Sequence, residues 1–125
     1  MVNNLNKGNM TTKEVIDRYY AGIEQKNGWQ SVIADDIIFS SGGQISNDNY
    51  VTATSRFLSL VKSSKVCELI IEGNKACAIV RYNLQSPKGN LATCDVAEIL
   101  TVHDGKINSS SIFFDTAFFR NFLTQ

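Results

Sequence analysis

Apolar residues recur at helical spacing in the first half of the chain and at alternate positions in much of the second half, which predicts helices followed by strands. Ile16, Tyr19, Tyr20 and Ile23 share one helical face. Ahead of them the stretch TTKE, residues 11–14, is a capping box in which Thr11 and Glu14 satisfy each other's free amides. A first helix is expected from Thr11 to a stop at Asn27 and Gly28. The stretch WQSVIA predicts a short second helix burying Trp29, Val32 and Ile33, and DDIIFSS a first strand broken by Gly42 and Gly43. Asp48 is placed to cap a third helix reaching about Lys62, with Tyr50, Thr54, Phe57, Leu58 and Val61 turned inward.

Four strand-like runs follow, VCELIIE, KACAIVRYNLQ, LATCDVAEILTVH and KINSSSIFFD, rich in Val, Ile and aromatic residues. Gly73 with Asn74, and Asp104 with Gly105, are two-residue hairpin signals, and the run from Ser86 to Asn90 makes the third connection. Helices first and an antiparallel meander afterwards means an α+β fold. Residues 1–10 lack periodicity and read as a flexible arm, leaving residues 11–125 as one domain.

Turn positions set the register, and the register decides which side chains share a face. Extending the turns rigidly sets Cys67 against Val80, Tyr82 against Cys94, Ala78 against Glu98, Leu100 against Ser109, Glu98 against Ser111, Val96 against Phe113 and Cys94 against Asp115. One face then holds Leu69, Ile71, Ala78, Val80, Tyr82, Leu84, Cys94, Val96, Leu100, Val102, Ile107 and Phe113, with Glu98, Asp115, Ser109 and Ser111 set among them. The other carries Arg81 across from Asp95, and also Ile70, Ile79, Ala97, Ile99, Ile112 and Phe114. Those six form an apolar patch of the kind that marks an interface, so a homodimer through the sheet is expected.

Charge narrows the partners. Lys+Arg and Asp+Glu both total 12 in 125 residues, and no basic run appears, which argues against nucleic acid or an anionic membrane surface. No window resembles a signal peptide or a membrane span, so a cytoplasmic location is expected. Cys67, Cys77 and Cys94 fall in apolar runs without metal-ligand spacing and read as buried free thiols. The stretch SSGGQ has no lysine and opens no helix directly, so it is no phosphate cradle. Neither a metal nor a cofactor is expected. His103 beside the last turn is expected at the surface, and Asp35 and Asp36 in a turn.

Glu98 is the sharpest candidate for chemistry, because its neighbours are apolar or small. A buried carboxyl without a cation has its pKa raised and becomes a proton donor or a poised base. Structurally it could equally be held by the hydroxyls of Ser109, Ser111, Tyr19 or Tyr82. Asp115 stands where the last strand meets TAFFRNFL, where it can cap a helix, turn inward beside Glu98, or both. Tyr19 and Tyr82 can donate phenol hydrogen bonds to a ligand oxygen, with Ser109, Ser111, Phe57 and Phe113 as further ligand-binding candidates.

The order helix, short helix, strand, helix, then meander, with ADDIIF after the second helix and VAEILTVHDGKI and IFFDTAFF at the end, resembles the nuclear transport factor 2 superfamily. Within it, the chain is most similar to SnoaL-like polyketide cyclases and ketosteroid isomerases over about residues 11–123. The resemblance implies a cystatin-like cone, a curved sheet wrapped around the first helix over an apolar pocket, commonly dimeric through the sheet. It sets Tyr19 where ketosteroid isomerase has its oxyanion-hole tyrosine and Glu98 near that enzyme's protonated aspartate. Ser41 falls at its general-base aspartate, a proton that a serine does not take unaided. Asp115 falls where SnoaL-like cyclases place an acid/base aspartate.

The expectation is a conical-pocket protein for a small, apolar, oxygen-bearing molecule, with cofactor-free isomerase, cyclase or dehydratase chemistry by Glu98 and Asp115. The alternative is a non-catalytic dimeric binding or assembly module whose aromatics, Phe57, Phe113, Phe118 and Phe119, fill the cone.

Overall fold

A computed structural model describes residues 10–124. The arm expected over residues 1–10 therefore lies outside the described residues, except Met10, which packs on the core. Helix α1 (Thr12–Gln25) opens with the capping box, Thr11 Oγ1 accepting from the Glu14 amide and Glu14 Oε1 from the Thr11 amide. Val15, Ile16, Tyr19, Tyr20, Gly22 and Ile23 form its buried face. Lys26 rather than a glycine takes the left-handed cap (φ 60°). A 3₁₀ turn, Trp29–Val32, then folds back onto the helix. It is shorter than the helix expected for WQSVIA, because Ile33 and Ala34 already belong to strand β1 (Ile33–Ser41).

Gly42 and Gly43 turn β1 into the two-residue β2 (Gln44–Ile45). Asn49, not Asp48, caps α2 (Tyr50–Leu58) by accepting from the Thr52 amide at 2.9 Å. The helix also ends sooner than expected, since Val61 and Lys62 open β3 (Val61–Glu72). Strands β4 (Lys75–Gln85), β5 (Leu91–His103) and β6 (Lys106–Phe113) complete the meander, and α3 (Thr116–Thr124) closes the chain. The fold is α+β. One six-stranded curved sheet runs β2-β1-β6-β5-β4-β3, antiparallel throughout except for the parallel pair β1 and β6. Helix α1 lies against its inner face beside β3 and β4.

The central hairpin has the expected register, Tyr82 against Cys94, Val80 against Val96 and Ala78 against Glu98. On its outer face Arg81 and Asp95 form a bidentate pair at 2.9 and 3.0 Å. The flanking hairpins depart from rigid extension. Cys67 is an extra residue in β3, so Val66 opposes Val80. In β6 the extra residue is Asn108, between the pairs Val102 with Ile107 and Thr101 with Ser109. Beyond it, Leu100 opposes Ser110, Glu98 opposes Ile112, and Ala97 opposes Phe113.

Each bulge bends its strand, and a one-residue slip turns every later side chain over. Ser110, Ile112 and Phe114 therefore face the core, while Ser111 and Phe113 face outward, the reverse of the expectation. The slip is favoured because it buries an isoleucine and a phenylalanine in place of a phenylalanine and an aspartate. Cys67 and Cys77 are exposed and Cys94 is half-buried, correcting the expectation of three buried thiols. Exposure follows from the bulge for Cys67 and from the outward parity of β4 for Cys77.

Gly22 is where α1 admits the 3₁₀ turn: a Cβ there would stand 2.4 Å from the Trp29 nitrogen and 2.7 Å from its Cα. Backbone cannot yield as a side-chain tip does. Gly22→Ala is expected to lower stability by about 2 kcal/mol or more, read from urea denaturation, with Gly43→Ala as a control for strain without crowding.

Candidate functional site

Parity carries Glu98 inward from β5, between Val96 and Leu100, and leaves it only 6% exposed. Two phenols meet it. Tyr20 Oη from α1 donates to Oε1 at 2.5 Å, and Tyr82 Oη from β4 donates to Oε2 at 3.0 Å. Tyr19 does not touch the carboxyl; its hydroxyl shares a 2.7 Å hydrogen bond with Tyr50 of α2. Consecutive tyrosines on one helix thus serve two buried hydroxyl clusters, their rings edge to face at 5.0 Å.

Beside this network lies a cavity of about 240 Å³. Phe39, Tyr50, Phe57, Tyr82, Phe114 and Phe119 give it aromatic walls, Glu98 and Cys94 stand in its lining, and Ser41, Ser46 and the exposed Asp48 reach it from the β1–β2 region and the approach to α2. Phe57 meets Tyr82 edge to face at 4.9 Å, and the Phe119 ring lies tilted against it at 6.0 Å. The rings line the cone without filling it.

Burial raises the Glu98 pKa above its ordinary 4.5, and the hydrogen bonds from Tyr20 and Tyr82 oppose that rise. Desolvation pushes the phenols of Tyr19, Tyr20, Tyr50 and Tyr82 upward as well. Charge on Glu98 acts in the same direction on all four, so they remain hydrogen-bond donors. Burial likewise raises the Cys94 thiol. A carboxyl ringed by protonated phenols in an apolar wall can donate a proton or a hydrogen bond to a ligand oxygen.

Of the residues singled out from sequence, Glu98, Tyr19, Tyr82 and Phe57 line the cavity together. Asp115, Ser109, Ser111 and Phe113 do not. Asp115 is exposed and caps α3, its Oδ1 accepting from the Phe118 amide at 2.9 Å. Phe113 is 43% exposed on the outer face. All four are displaced by the Asn108 bulge, which also moves Ile112 and Phe114 from the expected interface into the cavity wall. Tyr20, Tyr50, Asp48 and Cys94 were not foreseen as site residues. Inward parity and the apolar stripe of α1 already marked Cys94 and Tyr20; the roles of Tyr50 and Asp48 depend on how α2 docks.

No protein-family model matches the sequence, and no curated protein matches it. Solved structures match in shape over nearly the whole chain. A nuclear transport factor 2-like protein from Burkholderia thailandensis superposes with TM-score 0.77 at 19% identity, covering 93% of this chain and 98% of that one. The protein from Jannaschia sp. CCS1 that carries the name SnoaL-like polyketide cyclase gives TM-score 0.76 at 11% identity, covering 94% of each chain. The fold is that of the nuclear transport factor 2-like proteins. TerC, crystallised with polyporic acid, is a further similar structure, with TM-score 0.73 at 20% identity over 91% of this chain and 98% of its own.

Linkage between Glu98 and folding gives a measurable sign. A carboxyl whose pKa is raised on folding contributes stability that is fully present below its unfolded value and is lost as pH rises through the folded one. Glu98→Gln removes that titration. Relative to the native protein, the variant is expected to gain stability as pH rises from 4.5 through the raised pKa of Glu98 and to level off above it, checked by urea denaturation at several pH values. Tyr82→Phe removes a bond that favours the ionised form, so the Glu98 titration in carboxyl-resolved NMR is expected to move higher still, with a stability loss of about 1 kcal/mol.

Proposed function

We propose that this chain binds a small, largely apolar, oxygen-bearing molecule in its cavity and performs cofactor-free acid–base chemistry on it, of the isomerase, cyclase or dehydratase type. One observation carries the reading: Glu98 faces the cavity, buried, held by two phenol hydroxyls and, among the described residues, paired with no cation. Glu98 is the proton donor to a ligand oxygen. Asp48, the other carboxyl group among the described residues that line the cavity, is exposed and is assigned as the proton acceptor. Asp115 has no part, because its carboxylate is outside the cavity and engaged with α3.

The names carried by proteins of this fold, polyketide cyclase among them, are compatible with this assignment. At such low identity they supply the fold and leave the reaction to the site itself. The reading of a filled, non-catalytic cone is the weaker one, since Phe57 and Phe119 border an open cavity while Phe113 faces away from it.

We also propose that two copies pair through the outer sheet face. Ile70, Ile79, Ala97 and Ile99 remain on that face and Phe113 replaces Ile112 and Phe114; Ile70 is 65% and Ile99 42% exposed. Among the described residues, no helix is long and apolar enough to cross a membrane.

Two measurements test these assignments. In a thermal-shift screen of small ketones, lactones and phenols, a ligand of the cavity should raise the melting temperature with its concentration. Glu98→Gln should weaken that shift, whereas a shift that survives both Glu98→Gln and Phe57→Ala would place binding elsewhere. Light scattering at micromolar concentration should give twice the chain mass, and Ile99→Glu should halve it; a monomer before substitution removes the dimer.

A further inference from the structure

Among the described residues that line the cavity, the ionisable ones are Glu98, Asp48, Cys94 and the phenols of Tyr19, Tyr50 and Tyr82. No described lysine, arginine or histidine lines it. The arginines of the elements that frame it, Arg18 on α1, Arg56 on α2, Arg81 on β4 and Arg120 on α3, are all exposed and lie outside the wall. Every full charge that the described residues can place within the chamber is therefore negative.

We propose that the cavity selects uncharged aromatic compounds bearing a carbonyl or enol oxygen, and rejects organic anions of the same shape. The inference rests on reading the cavity as a ligand site. An anion entering it gives up hydration and meets no counter-charge, only phenol dipoles and a carboxyl group. If Glu98 is ionised the two repel; if it is neutral, one hydrogen bond is offered where a charge was lost. An ammonium ligand requires ionised Glu98, and a buried ion pair of that kind roughly breaks even with an apolar pair. An uncharged ring compound gives up little hydration, packs against the aromatic cluster of Phe57, Tyr82 and Phe119, and accepts the Glu98 proton as a hydrogen bond. Cys94 adds a soft, uncharged surface.

Size sharpens the class. The cavity, about 240 Å³, exceeds the roughly 150 Å³ that an apolar cavity needs to take up benzene and falls short of the ~300 Å³ at which drug-sized sites begin. One ring or two fused rings fit that interval.

Three probes with one ring system separate charge from shape: 2-acetylnaphthalene, 2-naphthoate and 2-naphthylmethylammonium, titrated into the full chain by calorimetry near neutral pH. The ketone is expected to bind at least about tenfold more tightly than either ion. Its affinity should rise as pH falls through the Glu98 titration. The groups that face Glu98, Tyr19 and Tyr20 from α1, Tyr50 from α2 and Tyr82 from β4, and Cys94 elsewhere in the wall, all stay protonated over that range. Asp48 is the remaining acid, and the pH effect should persist in Asp48→Asn and vanish in Glu98→Gln. Equal or tighter binding of naphthoate or of the ammonium compound overturns the selectivity while the ligand site stands. Binding of none of the three overturns the ligand-site reading, and this inference with it.

Discussion

A carboxyl group buried with no cation beside it among the described residues is the constraint around which the rest of the molecule is arranged. Glu98 is tolerated in the wall because Tyr20 and Tyr82 each donate to one of its oxygens. A buried polar group left unpartnered would be far more damaging to stability. Those two phenols come from different elements, so the hydrogen bonds that satisfy the acid also pin α1 against β4 and β5. The Tyr19 hydroxyl extends the same arrangement to α2 through Tyr50. Helix placement, strand order and the state of the acid are therefore coupled: a shift of α1 along the sheet would leave Glu98 unsatisfied before it opened much apolar surface.

Local signals in the sequence were strongest where one element decides the outcome. The capping box at Thr11 and Glu14 and the alternation from Ala76 to Leu84 are properties of contiguous residues, and both took the expected form. The loop from Ser86 to Asn90 preserved the register between Gln85 and Leu91, so Glu98 fell on the inner face as expected. The β5–β6 hairpin differed for an identifiable reason. Its turn has positive φ at both Asp104 and Gly105, as a tight hairpin turn demands. A turn fixes register only until the next bulge, and Asn108 supplies one three residues later. Hydrophobic content on its own pointed the right way: Ser110, Ile112 and Phe114 make a more apolar inner set than Ser109, Ser111, Phe113 and Asp115.

Side chains brought in by helices were harder to read, because a helical stripe has width. Tyr19 and Tyr20 both belong to the buried face of α1. Which of them reaches Glu98 depends on the rotation of the helix over the sheet, and that rotation is fixed by long-range packing such as the close approach of Trp29 to Gly22. Asp48 lay one residue from the true cap, Asn49, and shares its capacity to cap; its place in the cavity lining follows from the path of the chain between β2 and α2.

Glu98 also explains why the cone is more usefully open than filled. Small residues in the wall, Ala53 and Cys94, leave space that a larger apolar side chain could occupy. At about 24 cal/mol per Å³ of empty core, a cavity of about 240 Å³ forgoes at most about 6 kcal/mol, and less where water enters the mouth. Filling it would recover part of that stability and would at the same time seal Glu98 behind an apolar plug, with nothing to accept its proton. Burial is what raises the affinity of Glu98 for a proton, and under the proposed function the void is where another molecule would receive it. Under the proposed function, stability and proton transfer thus pull the wall residues in opposite directions, and the small side chains of the wall, Ala53 and Cys94, are where the second requirement would prevail.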